Sequence, residues 1–198
     1  MKKLYLLTIL ILSWSIAAHA QWTGSHIGSR SSVVGNFEIV GNQIAINSSG
    51  VDIWESKDDF FFVYQPLCGD FSIVTRLDEL ANSGTWVKSG LMMRESLTDT
   101  SPYAFIATYQ PDNTTGTCMQ LRLTDGGTSQ NSSCNANINI NTWYKLAREG
   151  KTVTSYSSTD GNTWEVLDSR ELEFSNLVYV GIASTSFDAS QLGRAVYS

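Results

Sequence analysis

Two strand-like segments, 86–96 and 117–124, carry polar side chains at alternate positions, which place them on one face of a strand. The residues concerned are Lys88 and Arg94 in the first segment and Gln120 and Arg122 in the second. Side chains with several hydrogen-bond donors suit sugar hydroxyls, and an aromatic ring packs against the CH groups of a sugar. We therefore predict a carbohydrate-binding face, on which Tyr103 or Tyr156 supplies the stacking ring.

The same polar residues also fit a purely structural role. Buried polar groups need hydrogen-bond partners whether or not a ligand exists. In that case the two arginines would pair with Glu95 or Asp70 on neighbouring strands. The sequence leaves both interpretations open.

A calcium site is a weaker prediction. Asp52, Asp58 and Asp70, with Asp59 beside them, lie in turn-rich segments, and calcium takes several oxygen ligands from such loops. Their spacing lacks the alternating aspartates of a calcium loop. Capping of turns is the commoner use of aspartate.

Catalytic patterns are scarce in this sequence. A jelly-roll glucanase carries acids at alternate positions of one strand, as in Glu-x-Asp-x-x-Glu, so that two carboxylates enter one cleft. The nearest match is Glu171-Leu172-Glu173, which lacks a third acid. His26 is the only histidine after the first twenty residues, so two histidines cannot bind a metal there. A non-enzymatic role is therefore expected, with glycosidase activity as the minority alternative.

The three cysteines are Cys68, Cys118 and Cys134. A three-residue hairpin loop at 125–127 would be centred on Gly126, eight residues from both Cys118 and Cys134. Directly opposed Cβ atoms lie close to disulfide spacing. We predict a Cys118–Cys134 disulfide and expect Cys68 to be a small buried thiol.

Residues 1–20 have the pattern of a secretion signal. Lys2 and Lys3 precede the apolar run Leu4–Leu12, which is too short to span a bilayer, and Ala18-His19-Ala20 fits the cleavage site. Cleavage would remove two lysines and no acid, which changes the net charge from −6 to −8. Such a charge disfavours nucleic acid and anionic membranes as partners. We expect a secreted protein, extracellular or periplasmic, that is one domain over residues 21–198.

Thirteen strand-like runs follow one another between Val33 and Tyr197, separated by turns rich in Gly and Asn. One helical turn is expected at Asp78–Asn82. So many short strands predict an all-β, two-sheet antiparallel sandwich. The last run ends at Tyr197, with no turn or polar tail before the sequence stops at Ser198, so either it forms a sheet edge or the chain is truncated at its C-terminus.

The chain resembles the bacterial secreted concanavalin A-like jelly-roll domains found at the C-terminus of β-xylosidases and in "regulation of enolase" proteins. The matching stretches are Trp22-Thr23, Ile27-Gly28, Gly50–Trp54, Asp58, Phe62–Asp70, Lys88–Ser96, Trp143–Arg148, Ser158–Trp164 and Tyr179–Ala183. The resemblance implies a jelly roll of the concanavalin A-like or laminin G-like kind, with one concave face. It does not fix a function, since this fold carries lectins, hydrolases and adhesive modules.

The leading hypothesis is a secreted, non-catalytic, lectin-like module that binds carbohydrate or a cell-surface glycan on its concave face. The first alternative is a structural or adhesive surface module without a small ligand, and the second is a glycoside hydrolase. A groove lined by polar donors and aromatic rings would favour binding. A groove filled by side chains would favour the structural role, and a convergent pair of acids would favour hydrolysis.

Overall fold

The structure is a computed structural model that describes residues 21–81, 86–110, 116–136 and 140–198. Every regular element within these ranges is a β-strand. The strands are β1 (Thr23–Ile27), β2 (Asn36–Val40), β3 (Gln43–Gly50), β4 (Asp52–Trp54), β5 (Lys57–Cys68), β6 (Phe71–Ala81), β7 (Val87–Arg94), β8 (Tyr103–Gln110), β9 (Gly116–Arg122), β10 (Gln130–Asn135), β11 (Thr142–Glu149), β12 (Thr152–Ser158), β13 (Glu165–Glu171), β14 (Leu177–Thr185) and β15 (Asp188–Tyr197). The predicted secretion signal, residues 1–20, lies outside the described residues.

The strands form two antiparallel sheets, as predicted. One sheet has eight strands in the order β1-β5-β14-β7-β8-β9-β10, with β4 paired to β5 off this path. The other has seven strands in the order β13-β12-β11-β6-β15-β3-β2. None of the described segments is a helix of the length and apolar character that crossing a bilayer requires.

The main core lies between the two sheets. Period-two alternation sends Leu91 and Met93 of β7 into this core, while Met92 points to the outer face of the eight-stranded sheet. A second apolar cluster covers part of that outer face. Strand β5 is therefore buried on both faces, with Phe61 in the main core and Phe62 in the outer cluster, which explains its unbroken apolar run.

The last two strands of the chain lie in the middle of the two sheets. Strand β14 pairs with β5 and β7, and β15 pairs with β3 and β6. The expectation that the final strand forms a sheet edge is therefore wrong. Its residues Ala195 and Tyr197 are buried in the main core.

Three local predictions need correction. The helical turn expected at Asp78–Asn82 is instead strand, because β6 continues to Ala81 to pair with β15; Asn82 lies outside the described residues. Strands β1 and β4 were not predicted. The loop between β9 and β10 spans residues 123–129 and not only 125–127, and the positive φ is at Gly126.

The predicted disulfide is confirmed. Cys118 pairs directly with Cys134 across β9 and β10 and is bonded to it. The longer loop does not break this register, because a bulge between Asn131 and Ser133 restores the pairing that a turn centred on Gly126 gives.

Candidate functional site

One half of the outer face of the eight-stranded sheet is filled by a buried ion network. The carboxylate of Asp58 accepts hydrogen bonds from Nη1 and Nη2 of Arg122 at 2.8 and 2.7 Å, and from Nη2 of Arg94 at 3.3 Å. Arg94 and Arg122 are both 0% exposed. Burial raises the pKa of Asp58, and the two guanidinium groups oppose that rise.

Arg122 also holds the loops that close this half of the face. Its guanidinium donates to five carbonyl oxygens at 3.1–3.4 Å. These belong to Trp54, Glu55, Asp99, Ser101 and Gly127. The guanidinium lies 4.9 Å from the ring centroid of Tyr103, whose hydroxyl donates to Ser129.

Arg94, Arg122 and Tyr103 therefore lie on the predicted face but not in contact with solvent, which corrects the expectation that they line an open trough. The alternative of a structural network describes them better, although the partner was misassigned. Glu95 instead accepts from Ser175, and Asp70 accepts from the backbone N–H of Gly150.

The other half of the same face is open and forms a groove of about 440 Å³, in the size range of small-molecule sites. The groove is lined by Asp52, Trp54, Trp86, Lys88, Tyr109, Gln120, Asn131 and Phe187. Lys88 and Gln120 are thus the two predicted ligand-binding residues that reach it.

Lys88 forms the floor of the groove and is only 5% exposed. Its Nζ donates to Asp52 Oδ1 at 2.6 Å and to the carbonyl oxygen of Ile53 at 3.2 Å, and it lies 5.1 Å from the centroid of the Trp54 ring. Burial lowers the pKa of Lys88, and the Asp52 carboxylate opposes this. Lys88, the one cation among the described residues that line the groove, is therefore already paired.

Gln120 stands beside this pair and is 3% exposed. Its Nε2 donates to Asn131 Oδ1 at 3.0 Å across β9 and β10. Its Oε1 is buried, and no hydrogen-bond donor reaches it from the described residues. Gln120 lines the groove, so this acceptor, whose direction the bond to Asn131 fixes, lies buried in the groove wall.

Aromatic rings form the walls of the groove. Trp86 and Tyr109 stack with centroids 6.0 Å apart and planes 18° apart, yet Trp86 is 45% exposed. Phe187 is 38% exposed on the turn between β14 and β15. Trp86 and Phe187 both have positive φ, 67° and 60°, which is uncommon for bulky residues and costs energy. The groove therefore has two exposed rings on residues whose backbone conformation is uncommon.

The disulfide lies beside this groove, next to Tyr109. The hydroxyl of Tyr109 is 3.6 Å from Cys118 Sγ, and Cys118 is two residues from Gln120 on the same face of β9. The bridge therefore fixes the strand pair that presents both the ring of Tyr109 and the amide of Gln120.

The comparisons with known proteins agree with this architecture. The sequence matches no known family profile and no curated protein. The structure is similar to a functionally unknown protein from Saccharomyces cerevisiae, with a TM-score of 0.68 at 13% identity over 90% of this chain and 91% of that protein. It is also similar to the exoplasmic/lumenal domain of VIP36 in a Ca²⁺/Man2-bound form, with a TM-score of 0.52 at 12% identity over 93% and 83% of the two chains.

The fold is a concanavalin A-like jelly roll. The structure is also similar to the xylan β-1,4-xylosidase from Bacillus halodurans C-125, with a TM-score of 0.54 at 14% identity over 78% of this chain. The match covers 32% of the xylosidase, so this chain spans about a third of that protein. At such identities the likeness shows the fold alone.

In this jelly roll, Tyr156 lies on the other sheet from the groove. The Nζ of Lys145 lies 4.0 Å from the centroid of its ring and 4.5 Å from that of Trp164. Strand β12 carries Tyr156 in the seven-stranded sheet. The prediction that Tyr156 shares a face with Lys88 is therefore wrong, because strands of similar pattern occur in both sheets.

The aspartates predicted to bind calcium do not meet. Asp52 pairs with Lys88, Asp58 with two arginines, and Asp70 with a backbone N–H group. No group of three potential metal ligands occurs in the part of the chain that the structure describes. These aspartates are used within the protein, as the turn-capping alternative predicts for Asp70.

Cys68 corrects another expectation, because it is exposed at the end of β5 and not buried. The groove residues that sequence reasoning missed as ligand contacts are Trp54, Trp86, Tyr109, Asn131 and Phe187. Tyr109 could have been found, since it alternates with Tyr103 along one predicted strand. Phe187 lies in a turn, where no periodicity indicates a direction.

Proposed function

We propose that this protein is a secreted, non-catalytic carbohydrate-binding module that holds a sugar in the groove lined by Trp86, Tyr109 and Phe187. The observation that carries the proposal is the exposure of strained aromatic rings beside a buried, unused amide oxygen. Rings stack on the CH faces of sugars, and buried polar groups fix the orientation of a ligand. The VIP36 domain, whose fold is similar, was solved with a mannose ligand.

The proposal assigns no catalysis to the groove. Glycosidases use two carboxyl groups about 5–9.5 Å apart. Among the described residues that line this groove, Asp52 is the only acid, and Lys88 already occupies its Oδ1. The finer assignment that we propose is to the bacterial modules at the C-terminus of β-xylosidases, in agreement with the sequence resemblance and the xylosidase likeness.

Export is part of the proposal. The N-terminal pattern of residues 1–20 directs the chain out of the cytoplasm, and the Cys118–Cys134 disulfide fits an oxidising compartment, either extracellular or periplasmic. An exported protein would meet carbohydrate on a cell surface or in the surrounding medium, and we propose that this carbohydrate is its partner.

Affinity electrophoresis and calorimetry of the protein recovered after export, against a panel of soluble plant, fungal and bacterial polysaccharides, test the proposal. We expect Trp86→Ala to weaken the binding of the retained polysaccharide about tenfold, because the ring contributes about 60 Å² of apolar contact at about 25 cal/mol per Å². Tyr156→Ala on the other sheet is the matched control and should bind normally. Loss of binding in the Tyr156 variant, with the Trp86 variant unaffected, would place the site on the seven-stranded sheet and contradict the proposal.

One observation favours a second candidate, the structural or adhesive module without a small ligand. Half of the outer face is filled by Arg94, Arg122 and Asp58, which leaves no space for a ligand there. Failure of the wild-type protein to bind any member of the panel would favour this role.

A further inference from the structure

The polar groups of the groove differ in what they still offer to a ligand. Gln120 uses its Nε2 to donate to Asn131, which fixes the direction of the amide and leaves Oε1 as an acceptor. A buried carbonyl oxygen without a donor costs about 1–3 kcal/mol, so a ligand that donates to it gains from the contact. A ligand with a hydrogen-bond donor near Gln120 Oε1 is therefore favoured in this groove.

The charge of Lys88 is already used within the protein. Its ammonium group is 2.6 Å from Asp52 Oδ1 and also donates to the carbonyl oxygen of Ile53. The Asp52 side chain is 22% exposed, and its hydrogen bonds from Ile53 and Lys88 both reach Oδ1, so Oδ2 offers a second acceptor at the groove. An anionic ligand would thus meet acceptors and a neutralised cation, on a chain with a net charge of −6.

We infer that this groove selects neutral, hydroxyl-bearing sugars and rejects anionic ones, with Gln120 Oε1 accepting a hydrogen bond from a sugar hydroxyl. This inference rests on the proposed function. The hydroxyl donates to Gln120 while the CH face of the same ring stacks on Trp86. A uronic acid or sulfated sugar that places its charged group there has no proton to donate, and it faces the carboxylate of Asp52.

The test compares neutral and carboxymethylated forms of the same backbone, with a hydroxyethylated form as the control that adds a substituent of similar size without charge. The pairs are β-glucan, xylan and galactomannan, each before and after carboxymethylation, with affinity measured by calorimetry at low salt. We expect the wild-type protein to bind the neutral form of at least one backbone at least tenfold more tightly than its charged form.

Two substitutions then separate the polar groups. Gln120→Met keeps the length of the side chain but removes the acceptor, and we expect about a fivefold to tenfold loss of affinity for the neutral form. Asp52→Asn keeps the shape but frees the charge of Lys88, so it should raise affinity for the charged form by about fivefold or more. Asp78→Asn, which removes the same charge from an ion pair with Arg76 on the other sheet, should change neither affinity.

The outcomes distinguish the inference from the proposed function. If the wild-type protein binds neither form of any backbone, the proposed function fails. If it binds the charged form as tightly as the neutral one, the groove is a sugar site but the inference is wrong. This comparison uses only the wild-type protein, so it tests the selection of neutral sugars even if Asp52→Asn is too unstable to measure. Unchanged neutral binding in a folded Gln120→Met protein would also overturn the role given to Gln120.

Discussion

Arg122→Met tests whether the buried ion network holds this half of the sheet together. Methionine is uncharged and keeps the apolar stem of arginine without its planar end, so the substitution removes the guanidinium and leaves part of its space unfilled. It breaks the two hydrogen bonds from Arg122 to Asp58 and leaves the single hydrogen bond from Arg94 to that carboxylate. It also leaves five loop carbonyl oxygens without this donor.

The expected loss of unfolding free energy is about 3–5 kcal/mol, the usual cost of removing one partner from a buried pair. A domain of this size changes its Tm by about 2–4 °C for each kcal/mol, so Tm should fall by about 6–20 °C. Replacing all three charges with apolar residues, as Asp58→Leu, Arg94→Met and Arg122→Met, should recover only part of the loss. The reason is that the loop carbonyl oxygens still lack a donor.

Urea unfolding followed by tryptophan fluorescence, together with calorimetric Tm, measures the effect. Arg170→Met is the matched control. Its guanidinium contacts Asp168 at 3.1 Å with half of the arginine side chain exposed, so removal should cost less than about 1 kcal/mol. If Arg122→Met and Arg170→Met lose the same small amount of stability, the buried network contributes no more than a surface ion pair and the reasoning is refuted.

Three further predictions concern other parts of the molecule. Replacing Cys118 and Cys134 with serine should lower the unfolding free energy by about 3 kcal/mol, because the disulfide no longer restricts the unfolded chain over a sequence separation of 16. The change should also weaken sugar binding. An unaltered urea midpoint would contradict the predicted loss of stability. Hydrogen bonds, first that from the backbone N–H of Thr163, lower the pKa of Asp160 to about 2, so its stabilisation is complete above about pH 4 and lost as pH falls towards 2. When Tm is measured between pH 5 and about 2, it should fall less in Asp160→Asn than in the wild-type protein. Parallel curves for the two proteins would show that Asp160 does not contribute this stability. Cys68 should react with a maleimide in the folded, unreduced protein at one equivalent, and a thiol that reacts only after unfolding would show that it is buried.

Much of the fold could be predicted because alternation is a local signal. The pattern of β7 correctly places Lys88 and Arg94 on the face opposite Leu91, and the pairing of Cys118 with Cys134 follows from the hairpin between them. The sheet to which a strand belongs is not local. Tyr156 shows this, because its strand alternates as clearly as β7 but lies in the other sheet.

The candidate site could be predicted only in part, since burial depends on what covers a face. Arg94 and Lys88 have the same orientation on one strand, yet loops close over Arg94 and leave the groove beside Lys88 open. The partner of the arginines is Asp58, which stands 36 residues before Arg94 along the chain. No short-range pattern links those two positions, so sequence reasoning chose nearer acids.

The central positions of β14 and β15 affect how this protein can be made. Neither sheet can close until residues 177–197 are available, because those residues supply the strand that joins its two halves. While the ribosome is still adding them, β5, β7, β3 and β6 each expose an unpaired edge, a state that slows folding and invites aggregation. The segments made earlier must therefore avoid aggregation until residues 177–197 have been synthesised and can complete both sheets.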